Sequence, residues 1–201
     1  MPDTATPGSA PLILDDLLNL CAKGQEAVET VVEAARRAVS QRVSVDARIN
    51  GARLNEEQFA AHGFAWMATY ATGLRELLRW AERLDRDGTL GELERLILQA
   101  GFGEYINQLT AGIAISQGEI VRPADLGLER ADIAPLADGA AGRLAAAGNT
   151  NAVRMRIAEL IEHGEYGAYG YGDETLEMIA DQFRRFANEQ VIPHAHEWHR
   201  K

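Results

Sequence analysis

Two long stretches of this 201-residue chain place their apolar residues three and four apart, a period that only helices can bury on one side. Leu14, Leu17, Leu18, Cys21, Val28, Val31, Val32, Ala35 and Val39 form one stripe. They predict a helix over residues 12–40, in which Gly24 introduces a bend. Phe59, Gly63, Trp66, Met67, Tyr70, Leu74, Leu77, Ala81 and Leu84 form a second stripe. They predict a helix over residues 55–84, with Asn55 and Gln58 as a start resembling a capping box. Gly63 and Gly73 on it leave room for a neighbouring backbone. Between the two helices, residues 41–53 read as a loop, where Val43, Ser44 and Val45 alternate like a strand without a visible partner.

The same period continues further along the chain. Thr89-Leu90-Gly91-Glu92 reads as a capping box opening a third helix through Leu93, Leu96, Ile97 and Ala100, which Gly101 and Gly103 interrupt. A fourth helix is expected over residues 104–116, with Tyr105, Ile106, Leu109 and Ile113 inward, and residues 118–128 are a turn region around Arg122-Pro123. Four helices with short connections predict an antiparallel bundle. Residues 132–147, rich in small side chains, read as one thin helix. Asn149 or Thr150 then caps a further helix to about His163 through Val153, Met155, Ile157, Leu160 and Ile161.

Residues 173–201 carry a last amphipathic helix, with Leu176, Ile179, Phe183, Phe186 or Ala187, and Val191 on one side. Asp173 is its expected N-cap, and Glu174 and Glu177 lie where the helix dipole favours negative charge. Pro193 removes a donor and clashes with the carbonyl four residues back, predicting a kink or restart near residues 191–193. The organisation expected is a disordered head (1–11), a helical bundle (12–163), a Gly/Tyr-rich linker (164–172) and a terminal helical segment (173–201) that reads as the front of a longer protein. The fold class is all-α.

Charge and cysteine count narrow the chemistry. Thirty acidic against 20 basic residues give a net charge of −10, and no basic run interleaved with aromatics occurs, which argues against nucleic acid or an anionic membrane surface as partner. No apolar run is long enough to span a bilayer, and the first eleven residues lack the pattern of a secretory signal, so a cytoplasmic location is expected. Cys21 is the single cysteine; its place in an apolar stripe marks a small buried hydrophobe rather than a nucleophile.

Each remaining candidate site has a plainer reading beside it. His194, His196, Glu197 and His199 look like metal ligands, but helical spacing lets only His196 and His199 share an ion. His196-Glu197-Trp198-His199 is one residue short of the zinc-protease pattern, and no histidine follows a glutamate at the di-iron spacing. The pairs Glu26 and Glu29, Glu92 and Glu94, and Glu159 and Glu162 read as solvated helix faces rather than an acid and a base. Trp66 and Trp80, with Met67 and Tyr70, could line a ligand pocket, though aromatics at helical spacing are more often core. The Gly/Tyr-rich segment follows a helix, not a strand, and so lacks the context of a phosphate-cradling loop. No catalytic, cofactor-binding or metal-ligating residue is assigned.

Phe183-Arg184-Arg185-Phe186-Ala187-Asn188-Glu189-Gln190-Val191-Ile192-Pro193-His194-Ala195-His196-Glu197-Trp198 resembles the opening helix of the flavin-dependent acyl-CoA dehydrogenases. Phe102-Gly103-Glu104-Tyr105-Ile106-Asn107-Gln108-Leu109 and Ser116-Gln117-Gly118-Glu119-Ile120-Val121-Arg122-Pro123 are similar to the N-terminal extension of the methylsuccinyl-CoA dehydrogenase subgroup. The resemblance implies a parent enzyme that oxidises an acyl-CoA to its enoyl form. In that family a carboxylate takes the α proton, the β hydrogen leaves as hydride to FAD, and electrons pass to an electron-transferring flavoprotein. It further implies that this chain alone is inactive and holds no FAD, since the family's base and flavin contacts lie beyond the matching region. A homo-oligomer is the expected assembly. The competing expectation is a self-standing helical module, without catalysis, that docks residues 173–201 into a partner's groove.

Overall fold

The computed structural model describes residues 11–201; the first ten residues of the expected disordered head lie outside the described part. The chain divides into two compact units, one ending at Ala168 and the other spanning Tyr169–Lys201.

Three long helices organise the first unit. Helix α1 (Leu17–Val43) starts later than its stripe predicts, because residues 12–16 run as turns across α4 instead. Gly24 does not break it; the missing Cβ makes room for Leu144 Cδ1, 2.7 Å from where a Cβ would stand. The strand-like Val43-Ser44-Val45 has a partner after all. Strands β1 (Ser44–Val45) and β2 (Arg48–Ile49) pair antiparallel around a tight turn in which Asp46 and Ala47 adopt φ of 50° and 59°. The expected loop also contains a short helix, α2 (Gly51–Glu56), whose cap is Asn50: its side chain accepts from Arg53 N–H at 3.1 Å. Asn55 and Gln58 bond to each other, side chain to side chain, and cap nothing.

Helix α3 (Gln58–Arg86) returns antiparallel to α1, since Arg42 meets Glu57 while Gln25 meets Ala71. Gly63 on α3 admits a side chain rather than a backbone, that of Val121. The box at Thr89 works backwards: its hydroxyl donates to Leu84 O and closes α3, while Gly91 stands at the N-cap of α4 without a side-chain bond.

The expected third and fourth helices are one helix, α4 (Glu92–Ala111), running unbroken through Gly101 and Gly103. Those glycines mark close approach. A Cβ on Gly101 would stand 2.7 Å from Leu77 Cδ2, and one on Gly103 would stand 2.8 Å from Asn149 N and 2.9 Å from Leu144 O. Helix α4 ends early, and Ile113 and Ala114, expected to be helical, form β3 (Ile113–Ala114) against β4 (Ile120–Val121). A 3₁₀ turn (Pro123–Leu126) follows. The thin helix splits at Asp138 and Gly139 into α5 (Arg130–Ala137) and α6 (Gly139–Ala147). Thr150, not Asn149, caps α7 (Asn151–Glu162), accepting from Val153 N–H at 3.3 Å.

The core lies between α1, α3, α4 and α6, where Cys21, Val28, Ala35, Leu74, Ala81, Leu98, Phe102, Ile106 and Leu144 are fully buried. Leu93 and Leu96 of α4 form a smaller cluster with Val153 and Leu160 of α7. The all-α expectation holds, with two short hairpins added.

In the second unit Asp173 caps α8 (Glu174–Phe186), its carboxylate accepting from the N–H groups of Thr175 and Leu176 at 2.7 and 3.2 Å. A π-helical turn (Ala187–Val191) leads to α9 (Ile192–His199), with Ile192 N–H bonded to Ala187 O five residues back. This is where Pro193 was expected to force a restart. Every residue of α8 and α9 is at least partly exposed, including Phe183 at 70% and Phe186 at 57%.

Candidate functional site

Cys21 sits in the stripe of α1 with no exposed surface, and burial pushes its thiol from 9.0 up to about 12. The thiolate is the nucleophile, so this position is inert. At pH 8 a thiol reagent should label the native chain roughly a thousandfold more slowly than the unfolded chain, from the thiolate fractions alone. A stopped-flow or dithionitrobenzoate trace checks this. Between pH 9 and about 12 the unfolded chain has lost a proton that the folded chain keeps, so stability falls as pH rises through that window.

The histidine cluster does not assemble. Among the described residues no group of three or more histidine, cysteine or carboxylate side chains could hold a metal ion. His194 stacks on Trp198 with ring centroids 5.6 Å apart, and Glu197 accepts from Lys201 Nζ at 2.6 Å.

Of the carboxylate pairs, Glu29, Glu92, Glu94 and Glu159 are bonded to cations or amides. Glu29 accepts from Gln25 Nε2 and Arg75 Nε, both at 3.0 Å, and the Gln25 amide, then Arg75, hold its carboxyl below 4.5. Arg156 makes a forked bond to Glu92 at 2.8 and 2.9 Å and reaches Glu159 at 3.2 Å. That hydrogen bond likewise lowers the Glu92 carboxyl. Carboxylates held ionised in this way are poor general acids. Glu94 departs from the solvated-face expectation: it is 6% exposed and accepts from Ala168 N–H at 2.7 Å.

Trp66 and Trp80 share no pocket. They are 14 residues apart on one helix, about 21 Å along its axis. Trp66 donates to His62 Nε2 at 3.0 Å and packs edge-on to Tyr70, which stacks on Tyr105 at 4.4 Å. Trp80 donates to Ala168 O at 3.0 Å, so the Gly/Tyr-rich segment lies against the bundle at this residue. A polar chain escaped sequence reasoning: Tyr70 O–H donates to Gln108, Gln108 to Glu104, and Asn149 to Glu104, over 2.7 to 2.9 Å. Only the i,i+4 spacing of Glu104 and Gln108 hinted at it.

One concavity of about 550 Å³ lies between the start of α3 and the β3–β4 hairpin, lined by Leu54, Phe59, Ile115, Gln58, His62 and Glu119. Its polar groups are already engaged, Gln58 with Asn55, His62 with Trp66 and Glu119 with Ser116. Among the described residues, the candidate groups named above are thus spread over separate helices, each with its own partners.

The chain is 48% identical over 191 residues to a (2S)-methylsuccinyl-CoA dehydrogenase of Cereibacter sphaeroides. It is a relative of that dehydrogenase. The aligned region takes in 93% of this chain, so the likeness extends from the terminal helical unit through the bundle. The chain spans about a third (34%) of the length of this relative. No protein-family model matches the chain. Among the described residues no helix is long and apolar enough to cross a membrane.

Proposed function

We propose that this chain is the N-terminal portion of a cytoplasmic, FAD-dependent acyl-CoA dehydrogenase, which converts a short or branched acyl-CoA such as methylsuccinyl-CoA to the enoyl-CoA. The observation that carries the reading is 48% identity along 93% of the chain to a protein whose name states that activity, at a third of its length. In this reading residues 12–163 are an extension, 164–172 a linker and 173–201 the start of the dehydrogenase's helical domain. The apolar groups that α8 exposes, Leu176, Ile179, Phe183 and Phe186, are then covered by the rest of the enzyme, as a 100°-wide apolar stripe requires. In the concavity between the start of α3 and the β3–β4 hairpin, Gln58, His62 and Glu119 are already bonded to neighbouring side chains. No flavin contact or catalytic step is therefore assigned to them. An electron-transferring flavoprotein as acceptor and a homo-oligomeric assembly complete the proposal.

The test is the full-length gene product. Adding methylsuccinyl-CoA should bleach its bound flavin, and deleting residues 1–165 should change its oligomeric mass in sedimentation. A product that ends at Lys201 and behaves as a compact monomer would overturn the dehydrogenase reading and leave the self-standing module. Unchanged assembly and stability after the deletion would overturn the packing role of the extension alone.

A further inference from the structure

Ala168 is held by both of its backbone groups. Its N–H donates to Glu94 Oε1 at 2.7 Å, and its C=O accepts from Trp80 Nε1 at 3.0 Å. The two side chains come from different helices, α4 and α3, so together they grip opposite sides of one residue of the connecting segment.

Each partner is built for this contact. Glu94 is 6% exposed, yet it lies in the first turn of α4, where unpaired amides and the dipole favour a negative charge. Its other oxygen would stand 2.7 Å from a Cβ on Gly91, so Gly91 is what lets the carboxylate lie flat beneath the segment. On the segment itself Gly167 adopts φ of 76°, and a Cβ there would meet Glu94 Oε1 at 3.4 Å and Leu93 Cδ2 at 3.7 Å. These are ordinary contact distances, so Gly167 is required by its left-handed backbone rather than by lack of room. Trp80, half-buried, places its single donor on the remaining acceptor.

Gly164 and Glu165 are tied to α7 by their own N–H groups, which donate to Ile161 O and Leu160 O at 3.0 Å, and we propose that Trp80 and Glu94 form a clasp that holds the next residues, 166–168, as a strap on the bundle that can open. Opening adds those three residues to the reach of the chain beyond Ala168, about 10 Å at full extension. It also frees the indole N–H of Trp80 and a carboxylate that otherwise faces a backbone amide.

Hydrogen exchange on the full chain tests the clasp. The Ala168 amide should exchange about tenfold more slowly than an unprotected amide, the scale of one charge-assisted hydrogen bond. Glu94→Ala and Trp80→Phe should each abolish that protection. Glu94→Gln, which keeps an acceptor oxygen, should retain part of it. Peptides from the core of α1 and α4 serve as the folding control. An Ala168 amide that already exchanges freely in the unaltered chain would overturn the proposal without recourse to any variant. Unchanged exchange in both Glu94→Ala and Trp80→Phe would do the same.

Discussion

Gly103→Val should cost the bundle about 3 kcal/mol or more, lowering its melting temperature by roughly 6–12 °C for a chain of this size. At Gly103 the atoms within 3.1 Å of an added Cβ are all backbone: Asn149 N, Leu144 O and Gly148 C. Gly148 faces it from the other side, where a Cβ would stand 2.4 Å from Gln99 O and 3.2 Å from Gly103 Cα. Two glycines thus bring α4 and the α6–α7 junction into direct backbone contact, and neither can retreat without moving a helix. Gly101→Ala is the internal comparison. Its added Cβ meets Leu77 Cδ2, the tip of a flexible side chain, so a rotamer change absorbs most of the clash. Differential scanning calorimetry on the two variants measures the contrast, and equal shifts would show that backbone contact is not what the glycine protects.

Gln99→Leu should cost about 2–3 kcal/mol, although it puts a hydrophobic residue into a core position. Gln99 has no exposed surface, and both ends of its amide are engaged: Nε2 donates to Leu12 O at 2.9 Å and Oε1 accepts from Leu14 N–H at 3.0 Å. Leucine would leave both backbone groups of residues 12–14 without partners, and their desolvation cost then opposes the packing of Ile13 on the two hydrophobic clusters. The expected signature is local as well as global. Exchange of the Leu14 amide should rise by more than that of amides in α3, and an equal rise throughout would point to a general loss of packing instead.

How much of this was readable from residues alone depends on the range of the interaction. Apolar period is a local property, and it placed α1, α3, α7 and α8; Asp173 and Thr150 act as caps through neighbours two or three residues away. The glycines of α4 misled because the same residue type breaks a helix or admits a neighbour, and only Leu77 and the α6–α7 backbone decide which. Thr89 misled because a hydroxyl can serve the helix behind it as well as the one ahead. The β1–β2 pairing was hidden by a turn, Asp46-Ala47, that lacks the glycine such turns usually carry. Glu94 was invisible as a buried group, since its partner lies 74 residues on. Of the candidate sites, the sequence correctly gave Cys21 to the core, while the pocket considered at Trp66 and Trp80 dissolved once the two indoles were found bonded to His62 and Ala168.

The run of the three long helices has one more outcome. Because α1 and α4 point the same way and α3 opposes them, both hairpins and α2 collect at one pole of the bundle, away from the glycine crossing. Lengthening a surface loop costs little closure entropy, and the β1–β2 hairpin and α2 bury no side chain, whereas Ile113 of β3 and Val121 of β4 belong to the core. The β1–β2 turn and α2 can therefore gain or lose residues without re-sorting the interior, whereas the β3–β4 hairpin and the junction at Gly148 have no such latitude.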